Sequence, residues 1–168
     1  LGPAVAGMEG VFVLTPSGTD ERPMMTNLVI ALKAAGVVVH VIRLVGMQPE
    51  SNMHRIPQAL RDHGLALPIQ HPIAKTILDD SGLPVTYLNS GATFMDNFYW
   101  MAKPLRERRT LIWPERKIPY IDPREIGEAA GRLLLSDNLR HVGQFHTMNN
   151  GHDIMLFSQA AELMSEVW

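Results

Sequence analysis

Two stretches decide the fold: Gly10–Thr15, which reads GVFVLT, and Val37–Leu44, which reads VVVHVIRL. Both are short, apolar and rich in β-branched residues, the composition of a strand buried on both faces rather than one with a wet side. Between them Pro16-Ser17-Gly18 marks a loop. Met24, Leu28, Ala31, Leu32 and Ala35 then recur at helical spacing, and Gly36 is a natural C-terminal stop. Strand, helix, strand is the signature of a parallel βαβ unit, because parallel neighbours can be joined only by a crossover.

The alternation continues downstream. Helical segments are expected over about 54–63 and 69–81, and a third strand over Pro84–Leu88 (PVTYL). Asp122-Pro123-Arg124-Glu125 sets an N-cap, a first-turn proline and an N3 glutamate in order, predicting a helix from about 123 to 135. His141–Thr147 reads as a late strand. Asp153 is placed to cap a final helix with Leu156, Ala160, Leu163 and Met164 on its apolar face. The expectation is one α/β domain over residues 1–168, in three layers, with a mainly parallel sheet and helices on both faces.

Composition narrows the function. The 168 residues are 46% hydrophobic and 19% charged, enough apolar side chain to bury a core and too much for wholesale disorder. Fifteen Lys+Arg against 17 Asp+Glu gives a net charge of -2, which offers no footing for nucleic acid or an anionic membrane. Arg106, Arg108 and Arg109, interrupted by Glu107, read as a solvated face. Cysteine is absent, which excludes disulfides and thiolate chemistry and is compatible with a reducing cytoplasm. No run approaches the roughly 18–20 apolar residues of a membrane span, and residues 1–20 do not read as a signal peptide. A soluble, cytoplasmic protein is expected. The chain opens Leu1-Gly2-Pro3 and reaches a core strand almost at once, so an N-terminally truncated domain is the reading; were the chain natively this short, an uncovered sheet edge would favour a homo-oligomer.

In parallel sheets ligands sit at the carboxyl ends of the strands. The loops there hold Thr15, Pro16, Ser17 and Gly18; Val45, Gly46 and Met47; and Asn89, Ser90 and Gly91. Such hydroxyls and amides suit a neutral or planar small molecule, and ordinary turn chemistry accounts for them equally. His71 and Lys75 stand four apart at the start of a helix, so they share a face and could converge on one ligand; an exposed first turn is the plainer account. His40 is a satisfied core or edge residue. The remaining histidines form no metal-ligating spacing, and no metal is expected. Adjacent Asp79 and Asp80 read as a solvated face. There is no GxSxG, GxxxxGK[ST] or GxGxxG, and the first two absences argue against a hydrolase and a P-loop NTPase.

The order GMEGVFVLTP (7–16), KAAGV (33–37), VVVHVIRL (37–44), HPIAKTILDDSGLPVTYLNSGATFMDNF (71–98) and IPYIDPREIGEAAGRLLL (118–135) resembles the NmrA-like branch of the atypical short-chain dehydrogenase/reductases. That resemblance implies a partial Rossmann-type sheet binding NAD(P)H, which either reduces quinones, dyes or carbonyl compounds or serves as a redox sensor. It also implies roles. Lys75 matches the lysine that contacts the nicotinamide ribose, and His71 stands where the family's tyrosine acid would. Thr15 and Pro16, with Asn89, Ser90 and Gly91, match segments beside the cofactor. Met47, Phe94, Met95, Asn97, Phe98 and Trp100 would line the substrate end of the pocket. The family's opening strand and glycine-rich turn have no counterpart here, and Asn89 replaces its usual arginine. Three functions follow: an NAD(P)H-dependent reductase, a non-catalytic nucleotide sensor, or a nucleotide-independent lyase, hydrolase or isomerase using His71 and Lys75 as acid and base.

Overall fold

The structure is a computed structural model that describes residues 1–47, 56–90, 95–113 and 115–167, with backbone only at Asp96 and Asn97. Its elements are α1 (Gly2–Val5), β1 (Gly10–Val13), α2 (Glu21–Ala35), β2 (His40–Val45), α3 (Gln58–His63), α4 (Leu67–Asp79), β3 (Val85–Asn89), a 3-10 helix (Met95–Met101), α5 (Ala102–Arg108), β4 (Lys117–Pro119), α6 (Pro123–Leu134), a 3-10 turn (Leu139–His141), β5 (Phe145–Thr147), β6 (Ile154–Leu156) and α7 (Phe157–Val167).

Four strands form an all-parallel sheet in the order β1-β2-β3-β5. Side chains alternate across a strand, so a sheet covered on both sides needs apolar residues at odd and even positions alike. Strand β2 meets that demand: each of its residues is buried. Val41 and Val45 face one way, with Val85 and Tyr87 of β3, and pack under Leu28 and Leu32 of α2 and Ala74 and Leu78 of α4. Ile42 and Leu44 face the other way, with Leu88, under Ile126 and Ala130 of α6. That helix approaches closely; a Cβ at Gly10 would sit 3.0 Å from Leu134 Cδ2.

The helix boundaries follow from local chemistry. Asp20 caps α2 by accepting from the Arg22 N–H, and Gly36 ends it in the left-handed region at φ 70°. Asp122 and Glu125 form the expected capping box of α6. Against expectation, residues 141–147 are not one strand: a 3-10 turn ends at His141 and β5 begins only at Phe145. Asp153 caps no helix. It precedes β6, which pairs antiparallel with β4 in a separate two-stranded sheet, Ile118 opposite Met155. These three-residue strands are too short to show an alternating pattern. Around them Ile118, Tyr120 and Phe157 form a further core, with Phe98 stacked on Tyr120 at 5.7 Å and Trp113 tilted on Phe157 at 5.2 Å. The expected start of the segment before α3, near residue 54, lies outside the described residues.

Leu78 is fully buried between α4 and the sheet, whereas Ile30 is 61% exposed on the outer flank of α2. Leu78→Ala is expected to lower the unfolding free energy by about 3 kcal/mol, and Ile30→Ala by under about 0.5 kcal/mol. Urea titrations of the two variants followed by circular dichroism check the contrast.

Candidate functional site

The carboxyl ends of the strands carry a polar cap on an apolar sheet. Arg43 lies on β2 facing α2 and α4, entirely buried. Its Nη2 donates to Glu21 Oε1 at 2.6 Å and to Thr15 Oγ1 at 2.8 Å, and Thr15 Oγ1 also bonds Glu21 Oε1. Glu21 is the first residue of α2, so its backbone N–H has no partner within the helix; Gln70 Oε1 accepts it at 2.8 Å. Gln70 in turn donates to the Gly64 carbonyl at 2.6 Å. Among the described residues Arg43 Nε, Arg43 Nη1 and Glu21 Oε2 are buried without hydrogen-bond partners.

One turn along α4 from Leu67, His71 is also buried. Its Nδ1 accepts the Gly46 N–H at 2.7 Å. An amide can only donate, so Nδ1 carries no hydrogen and the neutral ring bears its proton on Nε2. Burial, and then the nearby Arg43 charge, push the imidazole down to about 4. Asn89 ties neighbouring loops together: its Oδ1 accepts the Met47 N–H at 2.8 Å, and its carbonyl accepts from Met148 at 2.8 Å. Ser90 donates its N–H to the Val45 carbonyl. Lys75 Nζ pairs with Asp79 Oδ2 at 2.5 Å and lies 4.7 Å from the Tyr87 ring centroid. Tyr87 Oη donates to Asp79 Oδ1 at 2.7 Å; burial and that carboxylate raise the phenol well above its usual range. Asp79 is thus engaged with both residues, where the sequence suggested only a solvated face.

Beyond the cap, the second core leaves an open apolar cavity of about 520 Å³. Met95, Phe98 and Tyr99 of the 3-10 helix form one wall. Leu105 of α5, Tyr120 and Met155 form another, and Leu163 and Met164 of α7 a third. Arg106 and Asp153 are the charged residues among its lining. The cavity wall is tied by backbone bonds to neighbouring segments: the Met95 N–H bonds the Ile121 carbonyl, and the Asn150 N–H bonds the Tyr120 carbonyl; Asn150 stands two residues past Met148, whose N–H bonds the Asn89 carbonyl.

The structure therefore brings Thr15, His71, Asn89 and Ser90 into the cap, with Lys75 half-buried one turn farther along α4, and puts Met95 and Phe98 on the cavity. Pro16 is exposed beside Thr15. Met47 packs against the core under α2 and α4 rather than lining the cavity. Trp100, expected in the pocket, does not line the cavity and is 69% exposed, because the 3-10 helix turns Phe98 inward instead. Gly91 and Phe94 lie outside the described residues, as does the side chain of Asn97. Glu21, Gln70 and Tyr120 belong to no motif, and Leu163 and Met164, expected on the apolar face of a final helix, line the cavity. The one available signal was Arg43 itself, a charge inside VVVHVIRL that a buried strand must neutralise.

No family profile matches the chain. It is 30% identical over 134 residues to an NAD(P)H azoreductase of Xenophilus azovorans, an alignment covering 78% of this chain and 42% of the relative. Among solved structures, a nucleoside-diphosphate-sugar epimerase of Staphylococcus aureus superposes with a TM-score of 0.72 at 22% identity, over 98% of this chain and 55% of that one. The triphenylmethane reductase of Citrobacter sp., solved with NADP(H), gives 0.72 at 20% identity, over 98% and 54%. The chain has a Rossmann-type α/β fold and is similar in sequence to an NAD(P)H-dependent reductase over most of its own length. It spans about half the length of the proteins it matches.

Two outcomes are expected. Glu21→Gln, which leaves Arg43 buried and uncompensated, costs about 3–5 kcal/mol in thermal or urea unfolding, and adding Arg43→Met recovers most of it. For His71 the folded value lies below the unfolded 6.5, so the unfolded chain binds the extra proton between them. Stability is then full above about pH 6.5 and falls, by up to about 3 kcal/mol, as pH drops toward 4. His71→Asn should flatten that part of the stability–pH curve.

Proposed function

We propose that this chain carries the acceptor-binding part of an NAD(P)H-dependent reductase acting on an aromatic, quinone-like or carbonyl compound. The observation that carries the reading is an open cavity walled by aromatic and thioether side chains, in a chain whose strand ends carry a buried polar cap. Sequence identity to an NAD(P)H azoreductase supports it.

The residues at the cap fit a nicotinamide nucleoside. Lys75 spends one of its three donors on Asp79 and keeps the others for ribose hydroxyls. Thr15, Pro16, Asn89 and Ser90, with Gly91, would border the nicotinamide. When bound, the cofactor supplies a hydride. His71 is neutral near pH 7, so it acts as a fixed Nε2–H donor rather than a store of an ionisable proton, and the proton that completes reduction comes from water. Lack of cysteine suits a reducing cytoplasm, and β1 at the sheet edge suits self-association.

NADPH titration by fluorescence, together with loss of nicotinamide absorbance in the presence of menadione or methyl red, tests the assignment. Saturable turnover is expected, and Lys75→Met should raise the KM for nucleotide about tenfold with the circular dichroism unchanged. Tight binding without turnover would make the protein a sensor. No binding at all would overturn both.

A further inference from the structure

The acceptor cavity is apolar, and its two charged lining residues differ in burial. Asp153 is half-buried in its wall, and its carboxylate is held by Asn150, whose Nδ2 donates to Oδ2 and whose Oδ1 accepts the Asp153 N–H at 2.9 Å. Arg106, the other charge, sits exposed on α5 with its long side chain free to remain in water. An adjoining hollow shares Met95 and is lined by Asp122, Arg124, Glu125, Glu128 and Asn150. There Arg124 pairs with Asp122 at 2.5 Å, and Glu128 pairs with Arg132 at 2.7 Å. Glu125 acts electrostatically on Arg124, whereas Asp153 forms no ion pair with a Lys, Arg or His side chain among the described residues. Aromatic faces add to the negative side, because the π cloud of stacked Phe98 and Tyr120 attracts positive charge.

We propose that this cavity selects planar, delocalised organic cations of two or three conjugated rings, with Asp153 as the residue that determines the charge preference. The inference rests on reading the cavity as the acceptor pocket. The volume lies within the roughly 300–1,000 Å³ of ordinary small-molecule sites. Spreading the positive charge over the ring system keeps its desolvation cost low, and the rings meet Phe98, Tyr120 and the thioethers of Met95, Met155 and Met164. A sulfonated ring of the same size would meet the Asp153 carboxylate instead.

Three fluorescent probes of similar size separate these ideas: thioflavin T as the cation, N-phenylnaphthylamine as the neutral compound and anilinonaphthalene sulfonate as the anion, each titrated into the whole chain without nucleotide. Thioflavin T is expected to bind about tenfold more tightly than the sulfonate, and to weaken as salt is raised. Asp153→Asn should weaken thioflavin T about tenfold while leaving N-phenylnaphthylamine unchanged, and Asp153→Glu should restore part of the loss. Neutral-probe binding with no charge preference, or with thioflavin T indifferent to Asp153→Asn, would overturn the cation selectivity and leave the cavity intact as an acceptor site. Failure of every probe to bind would overturn the acceptor pocket and this inference together. Because no nucleotide is present, neither result depends on whether NADPH is turned over.

Discussion

A guanidinium in the middle of a strand with no exposed residue has to be neutralised where it lies. Moving an isolated charge into a protein interior costs several kcal/mol even after relaxation, and Arg43 is fully buried. Its partner comes from the first turn of α2, and that turn is steadied from α4 by Gln70 accepting the Glu21 N–H. Thr15, just past the end of β1, closes the arrangement. One charge therefore sets the relative positions of β1, β2, α2 and α4 at the end of the sheet where ligands bind in such folds. It also acts on its neighbour: after burial itself, the Arg43 charge is what holds His71 neutral.

The second determinant is a change of side between adjacent residues. Ile121 faces the core under α6, whereas Tyr120 faces the aromatic core of the small sheet. That dipeptide is hydrogen-bonded to segments following β3 and β5, through Met95 and Asn150, and to Asp153 through the Tyr120 N–H. The cavity is consequently not an independent feature of the small sheet. Its walls are tied to the segments that follow β3 and β5.

Fold similarity at 20–22% identity reflects how little of a parallel sheet depends on particular side chains. Apolar residues of adequate volume at alternating positions satisfy the layers. What distinguishes one such protein from another is the chemistry set on that frame: here a buried ion pair, an imidazole locked by Gly46, and a cavity with a carboxylate in its wall.

The parallel layers could be read from residues 10–44 because buried strands and amphipathic helices impose local periodicities, and because Gly36 and the Asp122–Glu125 capping box mark their ends within a few residues. Thr15, Asn89 and Ser90 could be located for a related reason, since loops at strand ends follow directly from the strand order, whereas His71 stood out only by its helical spacing to Lys75. The short strands β4 and β6 were illegible, since three residues carry no period and their stability comes from a partner more than thirty positions away. So too were the pairing of Arg43 with Glu21, the clasp of Asp79 on Lys75 and Tyr87, and the inward turn of Phe98 that leaves Trp100 in water. Sequence by itself determined the layers, the helix ends and the list of polar loop residues, all consequences of neighbours along the chain. Tertiary structure alone decided which charges meet and where the cavity opens, because those depend on distances between residues that only folding brings together.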